Sequence, residues 1–275
     1  MLIRLGYDIQ FDIPAPMAFV AQLRVHPSRL ADLREPDQVH VDGGIATYEY
    51  SDSYGNLCTR FLAPAGQLRL WNSTLIEDSG LPDPVALDAK EIPPHELPDD
   101  VLRFLLNSRY CEVDLLGPVA YELFGNVAPG WGRVQAICDW VNTKVKFDYN
   151  FARPTKTALD VFTERIGVCR DFQHLAVTFC RCLNIPARYV AGYLGDIGVP
   201  ADPSPMDFSA WFEVFLDGRW HTVDARHNSP RIGRILIARG RDATDAAIST
   251  AFGVAKLAQF KVVTEEVTPT SLFRV

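Results

Sequence analysis

Alternating hydrophobic and polar residues mark the first 80 positions of the chain. In LIRLGYDIQFDI, at residues 2–13, every second residue from Ile3 to Ile13 is apolar, the period-two pattern of a strand with one buried face. The segment TYEYSDSYGNLCTRFLAP, at residues 47–64, predicts a further hairpin that turns near Gly55 and Asn56. These patterns predict a β-rich N-terminal domain over residues 1–80.

Prolines interrupt this pattern over residues 81–98, and a different periodicity follows them. The prolines are Pro82, Pro84, Pro93, Pro94 and Pro98, a composition typical of a stiff linker. Apolar residues at three- and four-residue spacing then predict four helices, in DDVLRFLLNS, PVAYELFGNV, GRVQAICDWVNTKV and KTALDVFTERI. Strand patterns return in ARYVAGYL, GRILIARG and AQFKVVTEEV. Helices followed by an antiparallel sheet predict an α+β core over residues 99–275.

The composition of the chain argues against nucleic acids and membranes as partners. The 275 residues are 48% hydrophobic and 22% charged, with a formal net charge of −7, values of an ordinary globular protein. The chain has no run of Lys and Arg, so we expect no nucleic-acid partner. It has no apolar stretch of the roughly 18 residues that a membrane span needs, so we expect no membrane partner. The N-terminus has no signal-peptide pattern, which predicts a cytoplasmic protein.

Six cysteines are present, and without an export signal we expect them to be reduced thiols. No CxxC motif occurs, and the sulfurs of the CRC triplet at 180–182 would lie about 200° apart around a helix. The spacing therefore gives no support for a zinc site. We expect neither a metal nor an organic cofactor, because thiol chemistry needs none.

One cysteine lies where a helix should begin. In RIGVCRDFQHLAVTFCRCLNIPAR, at residues 165–188, apolar residues recur at helical spacing from Phe172 to Leu183, which predicts a helix over residues 169–184. Gly167 allows a tight turn before it, and Cys169 falls in its first turn. Free N–H groups and the helix dipole at that position favour a thiolate with a lowered pKa. They could also stabilise an oxyanion. Cys169 is therefore the candidate nucleophile.

Two polar residues of the same helix compete for a catalytic role. His174 lies about 140° around the helix from Cys169, at about 100° per residue, on the side of Asp171 and Thr178. This placement favours a role for His174 as a surface or interface residue over a role as the catalytic base. Asp171, in the first turn, is expected to cap the helix rather than to act as an acid.

The stretch DFSAWFEVFLDGRWHTVD, at residues 207–224, predicts a hairpin around the Asp217-Gly218 turn. In this register the side chains of Ser209, Trp211 and Asp224 point to one side of the hairpin. His221 points to the opposite, core-forming side, where a packed histidine is expected. His227 lies beyond the strand, and its direction does not follow from the pattern.

Several motifs occur together in one order: TALDVFTERIGVC, GVCRDF, LNIPARYVAGYL, DFSAWFEV and RWHTVDAR. In this the chain resembles the transglutaminase-like superfamily, in its bacterial cysteine-protease branch. The likeness is close over about residues 155–225 and looser over most of the chain. It implies a papain-like α+β core preceded by a β-rich domain, and thiol chemistry at an amide bond of a peptide or protein substrate.

The resemblance also implies a Cys-His-Asp triad. Its cysteine corresponds to Cys169 and its aspartate to Asp224. Its histidine corresponds to position 209, in a motif that usually reads DFHAW, whereas this sequence reads DFSAW. A serine hydroxyl cannot replace an imidazole as a base. Trp211, in the same motif, could line the substrate pocket, and it could equally be a core residue.

Three interpretations of Ser209 remain open. The chain could be an enzyme that takes its base from elsewhere, with His227 the best substitute because it follows Asp224 by three residues. It could have lost hydrolysis and bind a peptide or an acyl-bearing partner. Ser209 could also be an incidental substitution in a working protease. A separate hypothesis makes residues 1–80 an interaction module. Substrate identity, hydrolysis versus transamidation and oligomeric state stay open.

Overall fold

The structure is a computed structural model that describes residues 1–267. The N-terminal region consists of strands with short connections. They are β1 (Leu2–Ile13), β2 (Met17–Ala21), β3 (His40–Val41), β4 (Thr47–Ser51), β5 (Leu57–Ala63) and β6 (Gly66–Glu77). In β1 the residues that alternate from Ile3 to Ile13 are buried, which confirms the predicted period-two strand. A short 3₁₀ helix, Pro27–Asp32, lies between β2 and β3.

Helices and two short strands follow residue 98. In chain order they are α1 (Asp99–Leu102), α2 (Val113–Phe124), α3 (Trp131–Lys144), β7 (Lys146–Phe147), α4 (Ala158–Glu164), β8 (Ile166–Gly167) and α5 (Cys169–Cys182). Short 3₁₀ helices occupy Pro94–Glu96, Arg103–Leu105 and Tyr149–Phe151. The last strands are β9 (Ala187–Tyr193), β10 (Ser209–Leu216), β11 (Arg219–Val223), β12 (Ile235–Gly240), β13 (Ser249–Ala251) and β14 (Lys256–Glu266). Each helical segment predicted from the sequence contains a helix.

Three antiparallel four-stranded sheets organise these elements, in the orders β14-β1-β6-β3, β13-β2-β5-β4 and β11-β10-β9-β12. Strands β7 and β8 form a short parallel pair. The mixture of helices and antiparallel sheets is the predicted α+β class. The central helix α5 packs against α2, α3 and α4 and against strands β9 and β10.

The last two described strands join the N-terminal sheets. Strand β13 pairs with β2, and β14 pairs with β1 along ten residues. They lie within the predicted 99–275 core in sequence but not in space, and residues 268–275 of that range are outside the described part. One hydrophobic cluster runs from the N-terminal strands to Tyr193 of β9 and Ile235 of β12. The N-terminal strands therefore share a core with the sheet that carries the candidate site. The domain division at residues 81–98 stays a prediction.

Candidate active site

Cys169 is the first residue of helix α5, where the sequence placed it. The turn into the helix depends on Gly167, because a Cβ there would lie 2.7 Å from the Asp171 side chain. Asp171 is fully buried, and its Oδ2 accepts a 3.0 Å hydrogen bond from the Val168 N–H. This confirms Asp171 as a cap of the helix N-terminus. The cap fixes the first turn and therefore the position of the thiol.

His174 is not at the surface, so the expectation of a surface or interface histidine is wrong. It is fully buried, as are Asp171 and Thr178 on the same side of α5. Its Nε2 accepts the Ala243 N–H at 3.1 Å, and its ring stacks on Tyr110 with centroids 4.8 Å apart. Polar side chains can be buried in a core when they are hydrogen-bonded. The polar side of α5 was therefore not evidence that this side faces solvent.

The hairpin of β10 and β11 has the predicted register. Asp217 and Gly218 take positive φ angles of 48° and 75°, as a type I′ turn requires, and Leu216 pairs with Arg219. His221 is buried, its Nε2 lies 3.2 Å from the Leu216 carbonyl oxygen, and its ring meets Trp131 edge to face. His221 is thus the core histidine that the register predicted.

Asp224 lies just beyond β11 and binds the imidazole of His227. The Nδ1 atom of His227 is 2.8 Å from Asp224 Oδ2, and the Arg234 guanidinium donates to the same oxygen at 2.9 Å. Asp224 Oδ1 accepts the Gln173 side-chain amide at 2.9 Å and the backbone N–H groups of Arg226 and His227. Burial alone would raise the pKa of Asp224, but Arg234 and His227 outweigh it and hold the pKa far below its usual range. The aspartate is a fixed anion that orients His227.

Ser209, at the start of β10, borders two cavities. One, of about 430 Å³, is also lined by Asp207, Arg226 and His227. The other, of about 380 Å³, is also lined by Cys169 and Asp207. Ser209 is 8% exposed, and its Oγ has no hydrogen-bond partner among the described residues. The candidate nucleophile and the candidate base thus lie on two cavities that share Asp207 and Ser209 in their linings.

The thiol of Cys169 is neutral in this environment. Burial raises its pKa to about 11, and the Asp207 carboxylate acts in the same direction. Arg226 and the backbone N–H groups of Arg170 and Ala210 oppose the rise without cancelling it. The predicted lowering of this pKa by the helix N-terminus is therefore wrong for the resting structure, because desolvation and a like charge outweigh the N–H groups. Within residues 1–267, no histidine side chain makes a hydrogen bond to this thiol.

Asp207 is the site residue that the sequence reasoning missed. It lines both cavities, and burial raises its pKa to about 6, against the Phe208 N–H and Arg226, which lower it. It stands two residues before Ser209 in DFSAW, just outside β10, and this spacing was the available signal. Tyr149 shares the larger cavity. Its pKa is raised to about 12 by burial and then by Asp207 and Cys169.

Trp211 lines neither of these two cavities. Its side chain is 3% exposed, with the Arg234 guanidinium 5.1 Å from its ring centroid. A Cβ at Gly192 would lie 2.5 Å from the indole, so the neighbouring strand approaches it closely. Trp211 is thus a packed residue in the described structure, and its contact with a substrate stays a prediction. Through Arg234 the indole supports Asp224.

Across residues 1–267, no group of three or more His, Cys, Asp or Glu side chains is arranged to hold a metal ion. No helix in the same range is both long enough and apolar enough to cross a membrane.

Comparison with known proteins identifies the family. Residues 118–225 match the family model of the transglutaminase-like superfamily. The crystal structure of a "putative cysteine protease" from Cytophaga hutchinsonii superposes with a TM-score of 0.84 at 30% sequence identity, over 98% of this chain and 93% of that one. The chain belongs to the transglutaminase-like superfamily. The family match includes Cys169, Ser209 and Asp224, which confirms the resemblance stated from the motifs.

Two curated relatives of this superfamily member differ in how much they share with it. "Uncharacterized protein ML0607" of Mycobacterium leprae is 27% identical over 207 residues, which are 73% of this chain and 74% of that protein. The human kyphoscoliosis peptidase is 28% identical over 109 residues, 38% of this chain and 16% of the peptidase. The second likeness is confined to one segment of a larger protein.

Proposed function

We propose that this transglutaminase-like protein cleaves or transfers an acyl group at an amide bond of a peptide or protein, through an acyl-enzyme on Cys169. The observation that carries the proposal is the Asp224–His227 pair, joined at 2.8 Å. An aspartate that holds Nδ1 of an imidazole fixes the ring orientation and stabilises the imidazolium, as in a nucleophile-His-Asp triad. The pair supplies the acid–base group that Ser209 lacks.

His227 has a free nitrogen for this role. Its Nδ1 is bound to Asp224, whereas its Nε2 has no hydrogen-bond partner in the described residues. The side chain is 21% exposed and lines the larger cavity beside Ser209. In the proposed reaction Nε2 accepts the proton of the Cys169 thiol and later returns it to the leaving amine. No hydrogen bond joins His227 Nε2 to the Cys169 thiol in the structure, so substrate binding must bring these two groups together.

The oxyanion of the acyl intermediate would form at the N-terminus of α5. The first N–H groups of a helix have no intrahelical acceptor, and the Arg170 and Ala210 N–H groups act on the Cys169 thiol. Such preorganised donors stabilise the negative charge that develops on an attacked carbonyl. The Cys169 N–H and one of these two groups are the donors we assign to this role.

A second candidate function follows from Ser209 and from the neutral thiol. A protein with the pKa of Cys169 raised to about 11 and no imidazole bonded to it could retain the cavities for binding a peptide or an acyl-bearing partner without hydrolysis. This alternative predicts peptide binding that survives Cys169→Ala and no turnover in either form.

Turnover of fluorescein-labelled casein, with incorporation of a fluorescent primary amine as the readout for transfer, tests the proposal. The wild-type protein is expected to show activity that Cys169→Ala abolishes. Cys58→Ser is the matched control, since Cys58 is a buried cysteine of β5 whose hydrogen bonds to Gln22 and Asn56 a hydroxyl can replace. Equal product formation by the wild type and by Cys169→Ala would reject the proposal.

A further inference from the structure

The negative charge of the larger cavity is not balanced by its own side chains. Four aspartates line it, Asp148, Asp196, Asp202 and Asp207, against the two arginines Arg226 and Arg231. Asp196 lies 3.7 Å from Arg231, and Asp148 lies 3.8 Å from Lys146. The carboxylates of Asp202 and Asp207 form no ion pair within 4.0 Å anywhere in residues 1–267. The cavity therefore keeps two unpaired anions.

Asp207 is the more enclosed of these two carboxylates. Asp202 is exposed and accepts the Ser204 N–H at 2.8 Å, whereas Asp207 is only partly exposed. Arg226, the cation that acts on Asp207, stacks on Phe147 at 3.9 Å from the ring centroid and makes no salt bridge with the carboxylate. An ionised carboxylate taken partly out of water without a partner is costly. A cation from outside the chain would offset that cost.

A second, independent feature at the same place indicates a ligand. The side chain of Ser209 borders both cavities, is more than nine-tenths buried, and has a hydroxyl without a hydrogen-bond partner among the described residues. Buried hydroxyls are normally satisfied by protein, water or ligand. Ser209 and Asp207 thus present an acceptor and an anion beside the nucleophile.

We infer that Asp207 selects substrates with a cationic side chain next to the scissile amide, binding the ammonium or guanidinium group beside Cys169 with Ser209 as a neighbouring acceptor. The inference rests on the proposed function and names its substrate class. On this inference, the bound substrate also helps to activate Cys169. The Asp207 carboxylate raises the pKa of the Cys169 thiol, so a bound cation that neutralises the carboxylate lowers this pKa. The thiol is therefore activated only when a cationic substrate is bound.

Two matched affinity labels test the inference: the chloromethyl ketones of N-acetyl-lysine and N-acetyl-norleucine, which differ in one ammonium group. In the labelling step the Cys169 sulfur displaces chloride from the chloromethyl carbon and forms a thioether. The second-order rate of labelling is measured by peptide mass spectrometry and normalised to the rate of each reagent with free cysteine. We expect the lysine reagent to label Cys169 about tenfold faster, the factor that an ion pair of about 1.4 kcal/mol gives.

Asp207→Asn is expected to bring the ratio of the two rates close to one. Asp88→Asn, at an exposed aspartate that lines neither cavity, is expected to leave it unchanged. Wild-type protein provides a test that needs no variant: raising salt from about 0.1 to 1 M shortens the screening length from about 10 to about 3 Å and should lower the ratio. A wild-type ratio near one, or one that Asp207→Asn preserves, would overturn the inference.

The labelling rates separate this inference from the proposed function, because alkylation needs the thiol but not turnover. Equal rates for the two reagents together with Cys169-dependent casein turnover would reject the cation site and leave the proposed activity standing. A charge preference that depends on Asp207, without turnover, would support the cation site and reject the catalytic proposal.

Discussion

The Nδ1 atom of His227 lies 2.8 Å from Oδ2 of Asp224, although the family places its histidine at position 209. The two residues are separated by three positions in a turn after β11, so the aspartate orients an imidazole from its own segment. His227 borders the larger cavity, which shares Asp207 and Ser209 with the cavity of Cys169. In the proposed mechanism the aspartate is the one that the resemblance implies, and the base is a different residue.

Replacing His227 should reduce turnover without unfolding the protein. His227→Ala removes the proposed base and leaves Asp224 bonded to Arg234 and Gln173, so we expect a loss of about 10²–10⁴ in kcat, the usual effect of removing a positioned acid–base group. Thermal unfolding should change little. His95→Ala, at an exposed histidine that lines neither of the two cavities, is the control. Unchanged kcat in His227→Ala would show that another group moves the proton.

Replacing Asp224 should affect both activity and stability. Asp224 and Arg234 are 2% and 5% exposed and form a salt bridge at 2.9 Å. Asp224→Asn removes one of the two carboxylates that bind Arg234, which keeps its salt bridge to Asp83 at 2.8 Å. The loss of this buried, charged hydrogen bond costs about 1–3 kcal/mol, and the substitution also weakens the hold on His227. Chemical denaturation measures the free energy of unfolding. An Asp224→Asn protein as stable as the wild type would contradict the assigned charge pair.

Restoring the family histidine should activate the thiol. In Ser209→His, an imidazole enters from β10 at a position that lines the cavity of Cys169, whereas His227 lines only the other cavity. We expect Cys169 to react with iodoacetamide about tenfold faster or more near pH 7, because an adjacent imidazole favours the thiolate. Ser209→Asn is the control for size without a titrating ring. Equal rates in Ser209→His and Ser209→Asn would mean that position 209 does not reach the thiol.

The two charges beside Cys169 should shift its titration in opposite directions. The pKa of the thiol is raised to about 11 by burial and Asp207 and is lowered by Arg226. In the wild type, alkylation should therefore rise about tenfold per pH unit across neutral pH, since the thiolate is the reactive form. Asp207→Asn should move the profile to lower pH and Arg226→Gln to higher pH. Shifts of the same sign in both variants would contradict the assigned electrostatics.

His174 should make the fold sensitive to acid. Burial holds the pKa of this histidine well below 6.5, against the opposing Asp242 carboxylate. The unfolded chain therefore binds a proton at His174 below about pH 6.5 while the folded chain does not, so stability is lost as the pH falls, by up to about 1.4 kcal/mol per unit. His174→Gln, which can still accept the Ala243 N–H, should flatten this dependence. An equally steep loss in the variant would contradict the role of His174.

Local signals predicted the hairpin register and the position of Cys169 in the fold. The Asp217-Gly218 turn fixed the hairpin register, because residues with positive φ at both turn positions specify a two-residue loop. That register placed His221 in the core. Helical spacing and Gly167 placed Cys169 at the first position of α5. Each of these predictions depended on residues within a few positions of one another.

Features that depend on distant segments were not predictable from pattern. His174 and Thr178 appear polar along the sequence, and only packing against α2, β9 and the loop of Ala243 shows that their side of α5 is covered. The pairing of β14 with β1 joins segments that are widely separated in sequence. The raised pKa of Cys169 depends first on burial by distant segments and then on Asp207, nearly forty residues away in sequence. The helix terminus alone therefore gave the wrong direction.

The central claim is that Cys169 is an acyl-forming nucleophile, and direct detection of the acyl-enzyme tests it most directly. The protein would be mixed with the p-nitrophenyl ester of N-acetyl-lysine, quenched in acid, digested and analysed by mass spectrometry, with Cys169→Ala in parallel. We predict an added N-acetyl-lysyl mass on the peptide that contains Cys169, removable by hydroxylamine as a thioester should be, and none in Cys169→Ala. Ester turnover at the same rate in both proteins, with no adduct on Cys169, would contradict the claim.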